Sequence, residues 1–283
     1  MVKRAARLAL AFVLALALAG CSVARLAYTN APPAVAWMVD DWFDLQDGQK
    51  DWVKERAARL VAWHRASELP EYERFLQEIA VRVSRGLRED DARWAYLGGR
   101  ALYRRAMERM LPDMADFLLQ VTPEQVAYLE RKFDKDNEKL FAESGGTPKE
   151  RADKRAKRFV ERLEDWTGRL TPAQRELVAA RVKAMPDVTD DWFADRQKRQ
   201  GELLKLLRAK PDRAAMLAGV RRLVLDTDAW RSTAYLQKMK ARDEQSFAMV
   251  AALDATFDAA QREHIQKRIR GYAADVAYLM AQR

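Results

Sequence analysis

The chain has 283 residues, 49% of them hydrophobic, with eight tryptophans, one cysteine and a formal charge of +9. That composition can bury a sizeable core, which excludes a disordered spacer, and a lone cysteine excludes an internal disulfide, so packing alone must hold the fold.

The opening reads as an export signal. Lys3, Arg4 and Arg7 precede an apolar run from Leu8 to Ala19 that closes on small residues. A basic start, a short apolar stretch and a small-residue cleavage point are the parts of such a signal. The run is well short of the roughly 20 residues that a membrane-spanning helix needs. Removing residues 1–20 takes away three cations and no acid, leaving a chain of charge +6. For an exported protein the counter-charges are anionic headgroups, lipopolysaccharide phosphates or acidic proteins, and no nucleic-acid partner is expected.

Residues 22–33 then read as a short tether, in which Pro32-Pro33 favours extended chain and stops any helix. Beyond Asp40-Asp41-Trp42-Phe43 the apolar period is near 3.6 throughout, with no useful strand pattern. Breakers divide it into helices over about 49–66, 71–86, 90–111, 123–142, 148–167, 172–185, 189–209, 212–226, 229–253 and 259–281. The expected fold is therefore all-α, a multi-helix bundle of about ten helices. Glu68-Leu69-Pro70 is read as a helix end, and Ser144-Gly145-Gly146 as the most flexible break. A division into two halves near 144–147 stays open. Asp190-Asp191-Trp192-Phe193 echoes the opening, either as an internal duplication or as a second good start for a buried helix. Ile265, Ile269, Tyr272, Val276 and Leu279 give the last helix one apolar seam, read as an internal contact.

Helix starts carry their own chemistry. Thr122-Pro123-Glu124-Gln125, Thr147-Pro148-Lys149-Glu150 and Thr171-Pro172-Ala173-Gln174 are capping boxes with proline at the first helical position, and Asp258-Ala259-Ala260-Gln261 repeats the plan without proline.

Catalytic patterns are sparse. His64 and His264 fall in separate helices without zinc-ligand spacing, and the carboxylates alternate with Lys and Arg as surface pairs. No phosphate loop or nucleophile elbow occurs. The expectation is a protein that is not an enzyme and needs neither cofactor nor metal; a hydrolase of an envelope component is the competing class. The densest charge run lies over 149–162, where Lys149, Arg151, Lys154, Arg155 and Arg158 are candidate contacts to an anionic surface, set against a merely solvated helix face.

Three resemblances extend this reading. Leu18-Ala19-Gly20-Cys21 resembles the lipobox of bacterial lipoproteins. In that family the Cys21 thiol takes a diacylglycerol, the signal is cut before it, and the new amine is usually acylated. The organisation implied is a lipoprotein signal over 1–20, a lipidated cysteine and tether over 21–36, and a helical domain over 37–283. Ser22, in place of the aspartate that marks inner-membrane retention, implies the periplasmic face of the outer membrane. Second, Leu170 to Gln174, and nearly Val121 to Gln125, are similar to the Leu-Thr-x-x-Gln motif of the Spy and CpxP type of periplasmic chaperone. Those are all-helical dimers that hold unfolding clients without a cofactor. Third, Arg25 to Asn30, Asp40-Asp41-Trp42, Trp63-His64-Arg65 and Glu68 to Tyr72 follow in an order that resembles a family of uncharacterised Gram-negative lipoproteins, with Thr29 at a position where relatives often carry asparagine. That resemblance implies location and fold and brings no catalytic residues; His64 stays open between a functional and a structural role. The function expected is a lipid-anchored envelope protein that binds or scaffolds, with an envelope protein, anionic lipid or glycan as partner. A client-holding chaperone is the alternative.

Overall fold

The computed structural model describes residues 20–46 and 48–282, with side chains from residue 24 onward. Leu18, Ala19 and the Cys21 side chain lie outside the described residues; Gly20 and Cys21 are present as backbone of the first helix. In order the helices are α1 (Gly20–Thr29), α2 (Ala31–Phe43), α3 (Gln49–Trp63), α4 (Leu69–Ser84), α5 (Glu89–Leu118), α6 (Pro123–Ser144), α7 (Pro148–Thr167), α8 (Pro172–Ala184), α9 (Thr189–Ala209), α10 (Arg213–Val224), α11 (Thr233–Asp254) and α12 (Ala259–Ala281). A π-turn over His64–Glu68 joins α3 to α4, and a 3-10 turn over Thr227–Trp230 precedes α11. The described residues contain no strand, so the fold is an all-α multi-helix bundle.

Among the described residues, three apolar clusters hold it. The first gathers Ala36 of α2, Val53 of α3, Leu111, Ala115 and Phe117 of α5, Leu129 of α6, Leu207 of α9 and Met216 of α10. The second joins α7, α8 and α11 through Ala156, Val178, Val182 and Leu253. The third packs Val83 of α4 against Ile265 and Ile269 of α12. The Ser144–Thr147 break falls between α6 and α7, yet the first and third clusters draw on helices from both sides of it. At 30 residues, α5 is about 45 Å long. Its C-terminal half enters the first core, while its N-terminal half faces α4 and α11.

Four prolines at three places behave differently from the sequence expectation, each for a local reason. Pro112 does not end its helix: α5 runs on to Leu118. The lost hydrogen bond and clash cost about 3 kcal/mol, but Leu111, Ala115, Phe117 and Leu118 are all buried around it, at roughly 1.5–3 kcal/mol for each large side chain. Pro70 does not stop the chain either. The Leu69 amide reaches back five residues to the His64 carbonyl, and this wider π-turn lets the axis pass into α4 with Pro70 in its first turn. Pro32 and Pro33 sit in the first turn of α2, where a missing amide hydrogen costs nothing, so the expected extended tether is helical instead. The expected helix over 229–253 begins later, at Thr233, because the Ser232 hydroxyl accepts from the Tyr235 amide and sets the start there.

All four capping boxes form. At α8 the Thr171 hydroxyl accepts from the Gln174 amide at 3.2 Å, and the Gln174 side chain accepts from the Thr171 amide at 2.9 Å. Thr171→Ala is expected to lower stability by about 0.5–2 kcal/mol; coincident thermal melts of variant and wild type would contradict this.

The boxes differ in what their last residue does. Glu150 is exposed and closes its own box only. Gln125, Gln174 and Gln261 are buried, and as amides they can also donate. Gln174 Nε2 donates to Gln261 Oε1 at 2.9 Å while Gln261 Nε2 donates to Gln174 Oε1 at 2.8 Å. This reciprocal pair locks the start of α8 to the start of α12. Gln125 and Gln49 form the same reciprocal pair between the starts of α6 and α3.

The seam of α12 is internal, with Ile265, Ile269 and Leu279 buried. Tyr272 departs from it, lying exposed with its ring 5.5 Å from Trp166. Asp275 is buried instead, because Arg25 of α1 reaches it.

Candidate functional site

Of the residues in the third sequence resemblance, Tyr28, His64, Arg65, Glu68 and Tyr72 meet at the π-turn, whereas Asp40, Asp41 and Trp42 lie elsewhere. His64 opens the turn and Glu68 closes it, so the widened backbone places both, together with Arg65, toward neighbouring elements. His64 Nδ1 lies 3.0 Å from the Tyr28 hydroxyl of α1, and His64 Nε2 lies 3.3 Å from the Tyr72 hydroxyl of α4. The Tyr28 hydroxyl also donates to the Val61 carbonyl at 3.3 Å. One proton arrangement satisfies all three contacts: Tyr28 donates to Val61, His64 Nδ1–H donates to Tyr28, and Tyr72 donates to His64 Nε2. Burial holds the His64 pKa below its ordinary value against the opposing effect of Glu68, which keeps this neutral tautomer at pH 7. Burial likewise raises the Tyr28 and Tyr72 hydroxyls, which therefore stay protonated.

Further contacts fan out from the same turn. Buried Glu68 accepts from Arg105 of α5 at 2.9 and 3.1 Å. Arg65 donates to the Gln282 carbonyl at 3.1 Å, beyond the end of α12. Arg25 Nε meets the 5%-exposed Asp275 side chain at 2.6 Å. Nine residues (Arg25, Tyr28, His64, Arg65, Glu68, Tyr72, Arg105, Asp275 and Gln282) thus join α1, α4, α5 and the C-terminal end at one joint. His64 has both nitrogens occupied by hydroxyls, and the nearby carboxylate is held by Arg105, so these bonds tie α1, α4 and α5 to the turn.

Beside this joint, α1 and α2 present an apolar face. Leu26, Trp37 and Met38 are 66%, 68% and 51% exposed. From Ala24 to Val39 the only charge is Arg25, which is paired. Trp42 and Trp52 go the other way, packing on the first core. The signal in the sequence that separates these tryptophans is that Trp37 shares its helix face with Pro33, Ala34 and Met38, whereas Trp42 follows Val35 and Val39.

A second surface is a groove of about 340 Å³ between α5 and α11. Its floor includes Tyr96 and Phe247, with ring centroids 5.5 Å apart, and Leu97, Leu236 and Met239. Arg93 and Glu244 pair across its rim. No sequence motif pointed to it, because its lining comes from two helices far apart in the chain.

The five basic candidates on α7 do not share one face. Arg151 meets Asp187 at 2.7 Å, and Arg155, only 9% exposed, reaches the same carboxylate at 3.5 Å. Burial alone would push Asp187 up, but the Thr189 hydroxyl and amide and the Arg151 guanidinium outweigh it and hold it at about 2. Lys149, Lys154 and Arg158 remain exposed. The described residues hold no group of three or more His, Cys, Asp or Glu that could bind a metal, and no described helix is long and apolar enough to cross a membrane.

A family model matches residues 41–236, more than half of the chain. The chain belongs to DUF6279, a family of unknown function. Within the joint, the DUF6279 match takes in His64, Arg65, Glu68, Tyr72 and Arg105, whereas Arg25, Tyr28, Asp275 and Gln282 lie outside it. No curated protein and no solved structure matches the chain.

Proposed function

We propose that this DUF6279 chain is a lipid-anchored protein of the bacterial envelope, held by an acylated Cys21 at the periplasmic face of the outer membrane, and that its helical body binds or scaffolds partners without catalysing a reaction. The observation that carries this reading is the docking of α1. Arg25 and Tyr28, four and seven residues after Cys21, are fixed to Asp275 and His64 of the body. A lipid on Cys21 would therefore hold the whole bundle in a set orientation at the membrane, which suits a scaffold more than a body swinging on a loose leash. Anionic headgroups or glycan phosphates would then be met by the exposed Lys149, Lys154 and Arg158.

Mass spectrometry of the N-terminal peptide and fractionation of cells test the anchor. Wild-type chain should begin at an acylated Cys21 and sediment with membranes, and Cys21→Ala should lose the acylation and the processing at that site. An unmodified Cys21 in the wild type contradicts the proposal. The α5–α11 groove favours a second reading, a holder of unfolded clients, because its aromatic and aliphatic floor has a mixed-charge rim. Suppression of the aggregation of a model client by the purified chain, weakened by Leu97→Asp, would support that reading.

A further inference from the structure

We infer that the exposed face of α1 and α2 lies in the interfacial layer of the bilayer, with Trp37 among the lipid headgroups, so that the body rests on the membrane instead of standing off it. This rests on the proposed anchoring at Cys21. The occupant follows from what adjoins the face. Leu26 is five helical residues beyond Cys21, about 7.5 Å along α1, and the apolar face of an interfacial helix is buried to about 5–10 Å. Acyl chains on Cys21 must enter the bilayer, and α1 is tied to the body by Arg25–Asp275 and Tyr28–His64, so the neighbouring surface cannot turn freely away.

The chemistry of the face suits that depth. Among the described residues from Ala24 to Val39, Leu26, Trp37 and Met38 are the exposed large hydrophobic side chains, and they come with Ala24, Ala27, Pro33 and Ala34 instead of charges. Tyr278, also exposed, lies under the Arg25 guanidinium at 4.2 Å, which adds a second aromatic with a polar tip beside α1. The apolar stretch stops sharply at Asp40 and Asp41, whose carboxylates pair with Lys50 and Lys132. Those four charges mark where the chain returns to water.

The test uses the full chain purified from membranes and reconstituted into vesicles of phosphatidylethanolamine and phosphatidylglycerol, with bromine atoms on the acyl chains of one set. Tryptophan emission is compared between brominated and plain vesicles, and the N-terminal peptide of the same preparation is weighed. Expected is bromine quenching in the wild type that falls by at least half in Trp37→Phe, a variant that keeps an aromatic at an exposed position. Acylated Cys21 without quenching, or quenching unchanged by Trp37→Phe, overturns the inference and leaves the anchoring intact. An unmodified Cys21 with Trp37-dependent quenching sinks the anchoring reading and keeps the face; an unmodified Cys21 without quenching sinks both. A photo-crosslinker at position 38 that joins two copies while quenching is absent overturns it in favour of self-association.

Discussion

Asp91→Asn is expected to destabilise the protein by about 2–3 kcal/mol, lowering the melting temperature by roughly 5–10 °C for a chain of this size. The Asp91 side chain is 2% exposed and sits at the start of α5. It accepts from Arg82 at 2.7 Å, from Arg85 at 2.6 Å and from the Arg88 amide at 3.0 Å. Asparagine can still take the amide bond but leaves two guanidinium groups without their counter-charge. Both keep some contact with water, which places the cost below that of a fully buried pair. The same site sets an acid limit. Burial would push the Asp91 carboxyl up, but the Arg88 amide and the Arg82 and Arg85 guanidinia outweigh it and hold it at about 2. A carboxyl depressed in the folded state binds more protons when unfolded, so its stabilisation is complete above pH 4 and disappears as the pH falls through about 2. Urea unfolding between pH 2 and 6 checks this: wild type should lose stability below pH 4, and Asp91→Asn should lose about 2 kcal/mol less of it. Parallel pH curves for the two proteins would contradict the assignment.

Gln174→Leu is expected to cost about 2–4 kcal/mol, more than the loss of the Thr171 hydroxyl in the same box. It removes the acceptor for the Thr171 amide and the donor to the Thr256 carbonyl at 3.0 Å. It also takes the reciprocal partner from the buried Gln261 amide, which keeps only the Arg169 carbonyl and the Asp258 amide. Gln174→Leu with Gln261→Leu should therefore be less destabilised than the sum of the single changes, by 0.5 kcal/mol or more, since the two side chains act as one group. Strict additivity in denaturant melts would show that the reciprocal pair does not form.

The glutamine pairs mark the boundary of what the sequence could express. The boxes at Thr122, Thr147, Thr171 and Asp258 were legible because capping is local: donor and acceptor are three residues apart. That two boxes face one another across 87 residues was not legible. The choice of Gln at 125, 174 and 261 against Glu at 150 was the available hint, since only the amide can both close a box and donate onward. Prolines misled for a related reason. Pro112 reads as a stop in any window, and only the core beneath Leu111 and Ala115 keeps α5 going. Pro32-Pro33 reads as extended chain, although a helix start accepts both. At the joint, Tyr28, His64, Glu68 and Tyr72 were all in view as parts of a resemblance, but their roles depend on a π-turn and on Arg105, which no spacing rule foretells. On α7 the charge run offers candidate surface contacts or a solvated face, and spacing alone does not show that Asp187, a residue outside that helix, draws Arg151 and Arg155 inward.

The segment following Cys21 is a docked helix and no free tether. Amide hydrogen exchange of residues 24–39 in the full chain, followed by mass spectrometry, measures this directly. Docking predicts that these amides are protected to within about tenfold of those in α3. It also predicts that Tyr28→Phe with Arg25→Ala, which removes the bonds to His64 and Asp275, speeds exchange over 24–30 while leaving α3 unchanged. Exchange of residues 24–39 at the rate of unstructured peptide in the wild type would contradict it.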